Sequence, residues 1–148
     1  FKIRAERLKG GVLRVQGRVG RYKTAIIIDT GSERTLGNGA LRDALIGHRN
    51  RDDAEATEVT GATEQIAAGE RWRAPAIKLD DLIIGDVDVT FGNFHVFDVW
   101  ELQHTPALIL GMDVIGVLES FTIDYRRREI SVITTDHQPR LWEARGST

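Results

Sequence analysis

The segment AIIIDTGS, residues 25–32, restricts this chain more than any other. Ala25, Ile26, Ile27 and Ile28 are apolar in unbroken succession. A β-branched run of this kind favours a strand, and a strand with no polar alternation has both faces covered. It ends on Asp29. A carboxylate delivered to the end of a buried strand costs free energy unless nearby groups satisfy its charge or keep it protonated. Thr30, Gly31 and Ser32 are small, and two of them carry hydroxyls. They can hydrogen-bond a carboxylate while leaving space around it. A bare D-x-G is ordinary turn chemistry. The strand of Ala and Ile in front of it favours a preorganised carboxylate, a group able to activate water.

The flanking sequence reads as mainly β. VLRVQGRVG (12–20) alternates, with Leu13, Val15 and Val19 on one parity and Arg14, Gln16 and Arg18 on the other, and it turns at Gly20 into the apolar run. NGALRDALIG (38–47) predicts a short helix: Asn38 is a candidate N-cap, Leu41, Ala44 and Leu45 fall at helical spacing, and Gly47 is a stop. RNRDDAE (49–55) reads as a charged surface loop. ATEVTGATEQIA (56–67) predicts a β-hairpin with a polar tip around Gly61. Strands are expected in APAIKL, in DLIIGDVDVTF with a turn near Gly85–Asp86, and in FHVFDVW. A second apolar run, ALILG (107–111), precedes a short helix in MDVIGVLES. FTIDYRRREISVI (121–133) reads as two strands joined by a charged turn, and Asp136 to Thr148 as a polar surface extension. The expectation is one domain over 1–148 with one or two short helices.

Several function classes lose support at this point. The net charge of −2 provides no bulk attraction for nucleic acid or an anionic membrane. The chain has no cysteine, hence no disulfide or thiolate site. No apolar run has the length of a membrane span. His48, His95, His104 and His137 lack metal-ligand spacing, so no metal and no cofactor is expected. The acidic pairs at 52–53 and 80–81 and the DVD at 86–88 lack the calcium-loop pattern. RRR at 126–128 is too short to argue for nucleic acid. GNG at 37–39 lacks the spacing and the lysine of a phosphate loop. Ser32 has no histidine partner in sequence that would make it a nucleophile. Trp72, Trp100 and Trp142 are expected in packing.

Taken together, the segments resemble the retropepsin-like aspartic protease family. Residues 25–36 are similar to its active strand and loop. LILG (108–111) is similar to its second hydrophobic–hydrophobic–glycine strand, which a short helix follows. VTGATEQ (59–65) stands where that family has its flap. LDDLIIGDVDVTFGNFHVFDV and TIDYRRREISV are similar to the later strands of bacterial single-domain members, and the resemblance covers residues 12–133. It implies a mainly β acid-protease barrel with one lobe per chain. It also implies Asp29 as the catalytic group, Thr30 bridging to a partner loop, and the Gly31 amide and Ser32 hydroxyl orienting the carboxylates. Val59, Thr60, Gly61 and Ala62 would be flap contacts on a peptide or protein substrate.

The family chemistry needs two aspartates, and this chain has one D-T-G. Asp113, in LGMD, belongs with the second strand and its helix. A homodimer is therefore expected, with an isologous interface bringing both copies of Asp29 to the two-fold axis. The chain departs from the family pattern in the charged pair Glu33–Arg34 after Ser32, in a flap tip with a single glycine, and in residues 134–148, which have no family counterpart. Three alternatives stay open: a catalytically silent peptide-binding or dimerisation module on the same fold, a small ligand-binding β-barrel, and a precursor that needs activation. A chain starting at Phe1 is compatible with a processed product or an excised domain. Compartment and cleavage specificity are not legible.

Overall fold

The computed structural model describes residues 1–46, 55–60, 66–133 and 141–143. Residues 49–54 of the expected loop at 49–55 and the tip of the expected hairpin, 61–65, lie outside them, and Glu55, the last residue of that loop, is instead the first of a strand. The strand β3 (Leu13–Val19) runs antiparallel to β4 (Tyr22–Ile28), with Leu13 opposite Ile28 and Val19 opposite Tyr22. Their two-residue turn has Gly20 at its first central position with φ +60, the conformation that suits the twist of a tight hairpin. On its other side β4 pairs in parallel with β11 (Ala107–Leu110), placing Ile28 beside Leu110. β4 thus lies in the interior of a curled sheet that has eleven strands among the described residues.

This position explains the unbroken apolar run. Ile26 and Ile28 face the larger core, with Leu13, Val15, Leu108, Leu110 and Phe91. Ala25 and Ile27 face the opposite way into a second core, with Leu36, Phe94, Phe97, Ala107 and Ile109. Each isoleucine buries a side chain worth about 1.5–3 kcal/mol of transfer free energy. A polar residue at any of the four positions would lose hydration on whichever face it occupied.

Past β4 the chain enters β5 (Leu36–Gly37), which pairs antiparallel to β11 and parallel to β10 (Asp88–Phe91). The helix α1 (Gly39–Ile46) begins where the sequence predicts it. Asn38 Oδ1 accepts from Leu41 N at 2.9 Å, the N-cap bond. The same oxygen accepts from Ala107 N at 3.1 Å, and Asn38 Nδ2 donates to the carbonyls of Leu102 and Thr105, each at 2.7 Å. All four hydrogen-bonding positions of this buried amide are filled.

The strands β6 (Glu55–Thr60) and β7 (Ile66–Arg73) form an antiparallel pair from Glu55 opposite Arg71 to Thr60 opposite Ile66. β7 continues the sheet onto β10. β8 (Ile77–Leu79) and β9 (Leu82–Ile84) follow, with the positive φ of Asp86 turning the chain into β10. A smaller sheet orders β1 (Lys2–Arg4), β13 (Glu129–Ile133) and β12 (Ser120–Asp124). Ile3, Ile130 and Val132 insert into the larger core. A short β2 (Glu6–Arg7) pairs with β3.

Two expectations are corrected. FHVFDVW is not a strand: His95–Val99 forms the helix α2. Alternation would put Phe94 and Phe97 on opposite faces, yet both are buried in the same core, three residues apart, and a helical turn is what brings them together. With α3 (Met112–Ile115), three helices rather than one or two are present among the described residues. In the C-terminal extension, Leu141–Glu143 forms β14 and pairs with β9, Trp142 standing opposite Ile83. The extension thus includes a strand at the edge of the large sheet, which its polar sequence does not announce.

Candidate active site

The ends of β4 and β11 define the site. Asp29 N donates to Leu110 O at 3.2 Å, so the ladder carries the aspartate one step past the apolar run. Asp29 is half-buried, and Thr30 and Gly31 beside it are exposed. Gly31 N donates to Asp29 Oδ1 at 3.0 Å, and Ser32 N donates to Asp29 O at 3.1 Å. A Cβ at Gly31 would stand 3.2 Å from Asp29 Oδ1. The glycine therefore leaves the carboxylate uncrowded while its amide orients it. Among the described residues no cation pairs with Asp29.

The Ser32 hydroxyl does not point to the carboxylate. It donates to Arg34 O at 2.7 Å and braces the loop instead. Thr30 and Gly31 thus sit beside Asp29, with Ser32 one step behind. Val59 and Thr60 end β6, opposite Ala67 and Ile66. Gly61 and Ala62 lie outside the described residues.

A second set of groups, which no local sequence pattern marks, holds this loop. Met112 N donates to Ser32 O at 2.7 Å and Asp113 N to Glu33 O at 3.1 Å, so the first turn of α3 binds two loop carbonyls. Asp113 then grips Thr35, accepting from Thr35 N at Oδ2 (3.1 Å) and from Thr35 Oγ1 at Oδ1 (2.7 Å). Thr35 Oγ1 in turn accepts from Gly111 N at 3.2 Å. Gly111 is required by contact: a Cβ there would come within 2.5 Å of Arg34 O. These partners are about eighty residues apart in the chain, so spacing rules cannot find them.

A prediction follows for this clamp. Asp113→Ala frees the Thr35 amide and hydroxyl and should slow any reaction that uses Asp29 by about ten- to a hundred-fold in kcat, because small misplacements of a reacting group are costly. It should reduce stability by about 1–2 kcal/mol. Asp113→Asn retains one acceptor and should fall between the two. Steady-state kinetics and denaturant unfolding on the same preparations check this; an unchanged kcat in Asp113→Ala would separate the clamp from catalysis.

An open polar cleft of about 720 Å³ lies elsewhere, past the C-terminal end of β5, and Asp29 does not line it. There Arg42 on α1 makes a two-pronged ion pair with Glu70 on β7, at 2.8 and 3.0 Å. No group of His, Asp and Glu among the described residues is arranged to hold a metal ion.

The family model described as aspartyl protease matches residues 15–114. Seventy-eight chains of known structure are similar to this one. Among them is a retropepsin-like aspartic protease from Rickettsia conorii, 15% identical, with a TM-score of 0.58 over 89% of this chain and 88% of that one. No curated protein matches in sequence. The family match takes in β4, the D-T-G loop, β11 and the first turn of α3, and on its span over more than half of the sequence this chain belongs to the aspartyl protease family, with a retropepsin-like fold.

Proposed function

We propose that this chain is an aspartic endopeptidase whose catalytic centre forms between two copies, each contributing Asp29. The observation that carries the reading is the presentation of Asp29: a half-buried carboxylate at the end of a fully covered strand, bonded by the Gly31 amide and free of any cation among the described residues. A carboxylate so placed has the orientation of a catalytic group and lacks the ion pair of a structural one.

In the proposed mechanism the two carboxylates share one proton, since like charges about 3 Å apart cannot both ionise. The ionised member removes a proton from a water molecule, and the water oxygen attacks the scissile carbonyl carbon. The protonated member donates to the carbonyl oxygen and stabilises the tetrahedral intermediate. Proton transfer to the amide nitrogen and cleavage of the C–N bond then release an amine and a carboxylic acid. No covalent enzyme intermediate forms. Thr30 bridges to the partner loop. Peptide lies extended between the paired loops and the β6–β7 hairpin, whose end at Val59, Thr60, Gly61 and Ala62 closes over it as a flap.

Activity should therefore depend on association. Specific activity toward a peptide library is expected to fall in proportion to the dimer fraction as the protein is diluted below its dissociation constant. Sedimentation and hydrolysis measured over one concentration series test it. Constant specific activity from a monomer would exclude a shared centre, and a dimer with no turnover of any peptide would favour the silent binding module.

A further inference from the structure

The cleft past the end of β5 has a volume of about 720 Å³, and Asp29 is not among the residues that line it. Backbone forms its depth: Gly69 is buried, and Gly39 and Gly92 are half-buried. The side chains of Asp43, Asn93, Gln103 and His104 stand at its rim, all of them on exposed residues. Between α1 and β7 the wall is the Arg42–Glu70 ion pair.

The donors along this lining are already engaged. Arg42 is its one permanently cationic side chain among the described residues, and 15% of that side chain is exposed. Its Nε and Nη2 donate to the two oxygens of Glu70, and its Nη1 lies 3.4 Å from Asp43 Oδ1. The start of α1 would draw an anion, but oxygen already faces it. Asn38 Oδ1 caps Leu41 N, and Asn93 Oδ1 lies 2.6 Å from where a Cβ of Gly39 would stand. The acceptors, in contrast, have capacity left. A carboxylate offers about four lone-pair sites. Glu70, with 38% of its side chain exposed, gives two of them to Arg42, and Asp43, 70% exposed, gives one to a long contact. Neutral His104 adds an acceptor nitrogen. Two carboxylates against one internally paired guanidinium leave an excess of negative charge. Such a lining suits a ligand that brings N–H donors and positive charge.

We propose that this cleft is a second binding site, apart from Asp29, for a lysine or arginine side chain of the polypeptide substrate. β7 connects the two places. Gly69 and Glu70 line the cleft, and Ile66, three residues before Gly69, pairs with Thr60 at the end of the hairpin. At about 3.3 Å per residue the separation along the strand is roughly 10 Å, so a polypeptide lying along the hairpin spans both. The substrate assignment rests on the peptidase reading above; the preference for a cation rests on the lining alone.

Two acetylated, amidated peptides, Gly-Arg-Gly-Arg-Gly and Gly-Glu-Gly-Glu-Gly, test the site directly. They are titrated into isotopically labelled Asp29→Asn, so that binding is read without turnover. The arginine peptide should shift the amide resonances of Gly39, Gly69 and Gly92 saturably, and less as salt is raised, while the glutamate peptide should not. On the same background Asp43→Asn should weaken binding about threefold and Asp43→Lys about tenfold, with an unchanged fold by circular dichroism. In hydrolysis, an Arg-Gly-Arg extension on one end of a cleaved library peptide should lower KM at constant kcat. Asp43→Lys should abolish that gain and cleave the unextended peptide as the parent does. No shift at the three glycines, equal binding of both peptides, or arginine-peptide binding that Asp43→Lys leaves intact overturns the cation site. Charge-dependent binding with no effect of the extension on KM overturns the substrate assignment. The same binding in a protein whose parent form hydrolyses no peptide overturns the peptidase reading and leaves the cation site standing.

Discussion

Asp29→Asn is expected to reduce peptide hydrolysis by at least about a thousand-fold, since it removes the acid–base group from both halves of the proposed centre. The fold should be unaffected. Asn has the same shape, its Oδ1 can keep the Gly31 amide bond now at 3.0 Å, and the backbone bond from Asp29 N to Leu110 O does not involve the side chain. The residue is partly open to solvent, so replacing a carboxylate by an amide strands no buried partner. Hydrolysis of a library peptide and thermal unfolding, measured on one preparation, test both halves of the expectation. Mixing inactive and parent chains should lower activity below that of the parent alone, because mixed pairs carry a single carboxylate. If the variant cleaves as fast as the parent, Asp29 is not the catalytic residue.

Asn38→Ala is expected to cause the largest loss of stability, about 3–4 kcal/mol. Its amide, 1% exposed, is the partner of Leu41 N, Ala107 N, Leu102 O and Thr105 O. Truncation leaves all four without it, and each orphaned buried group costs about 1–3 kcal/mol before relaxation. The helix cap, typically about 1 kcal/mol, is among them. The midpoint of thermal unfolding should fall by roughly 10 °C. Asn38→Asp keeps both acceptor bonds but loses both donors and buries a charge, so it should not rescue. A loss below about 1 kcal/mol in denaturant unfolding would mean that the surrounding backbone finds other partners.

Much of this architecture could be read from local pattern. The apolar run at 25–28 announced a strand covered on both faces, and the alternation at 13–19 announced its neighbour. Asn38 announced the start of α1. Where the reading failed, the deciding contact was non-local or the segment was short. Phe94–Trp100 spans too few residues for period 2 and period 3.6 to be distinguished by composition, and the second core chose helix by burying Phe94 with Phe97. Leu141–Glu143 sits in a polar stretch, and only pairing with β9 makes it a strand. At the site, the position of Asp29 at the end of a covered strand was legible because that strand is so distinctive. The direction of the Ser32 hydroxyl was not, since two acceptors lie within its reach in any turn and the loop backbone won. The Thr35–Asp113 grip joins positions that no spacing rule connects.

The parallel pairing of β4 with β11 has a consequence in time as well as space. Ala25 lies beside Ala107, and the loop after Ile28 is held by groups at 111–113. Closing so long a loop comes at an entropic cost that precedes any reward from the contact, so this part of the fold forms late. During synthesis the D-T-G loop leaves the ribosome well before the residues that shape it. A nascent chain carries Asp29 before its scaffold exists. Under the proposed function, proteolytic competence would be deferred until β11 and α3 have been made and docked, a delay set by the order of strands along the chain.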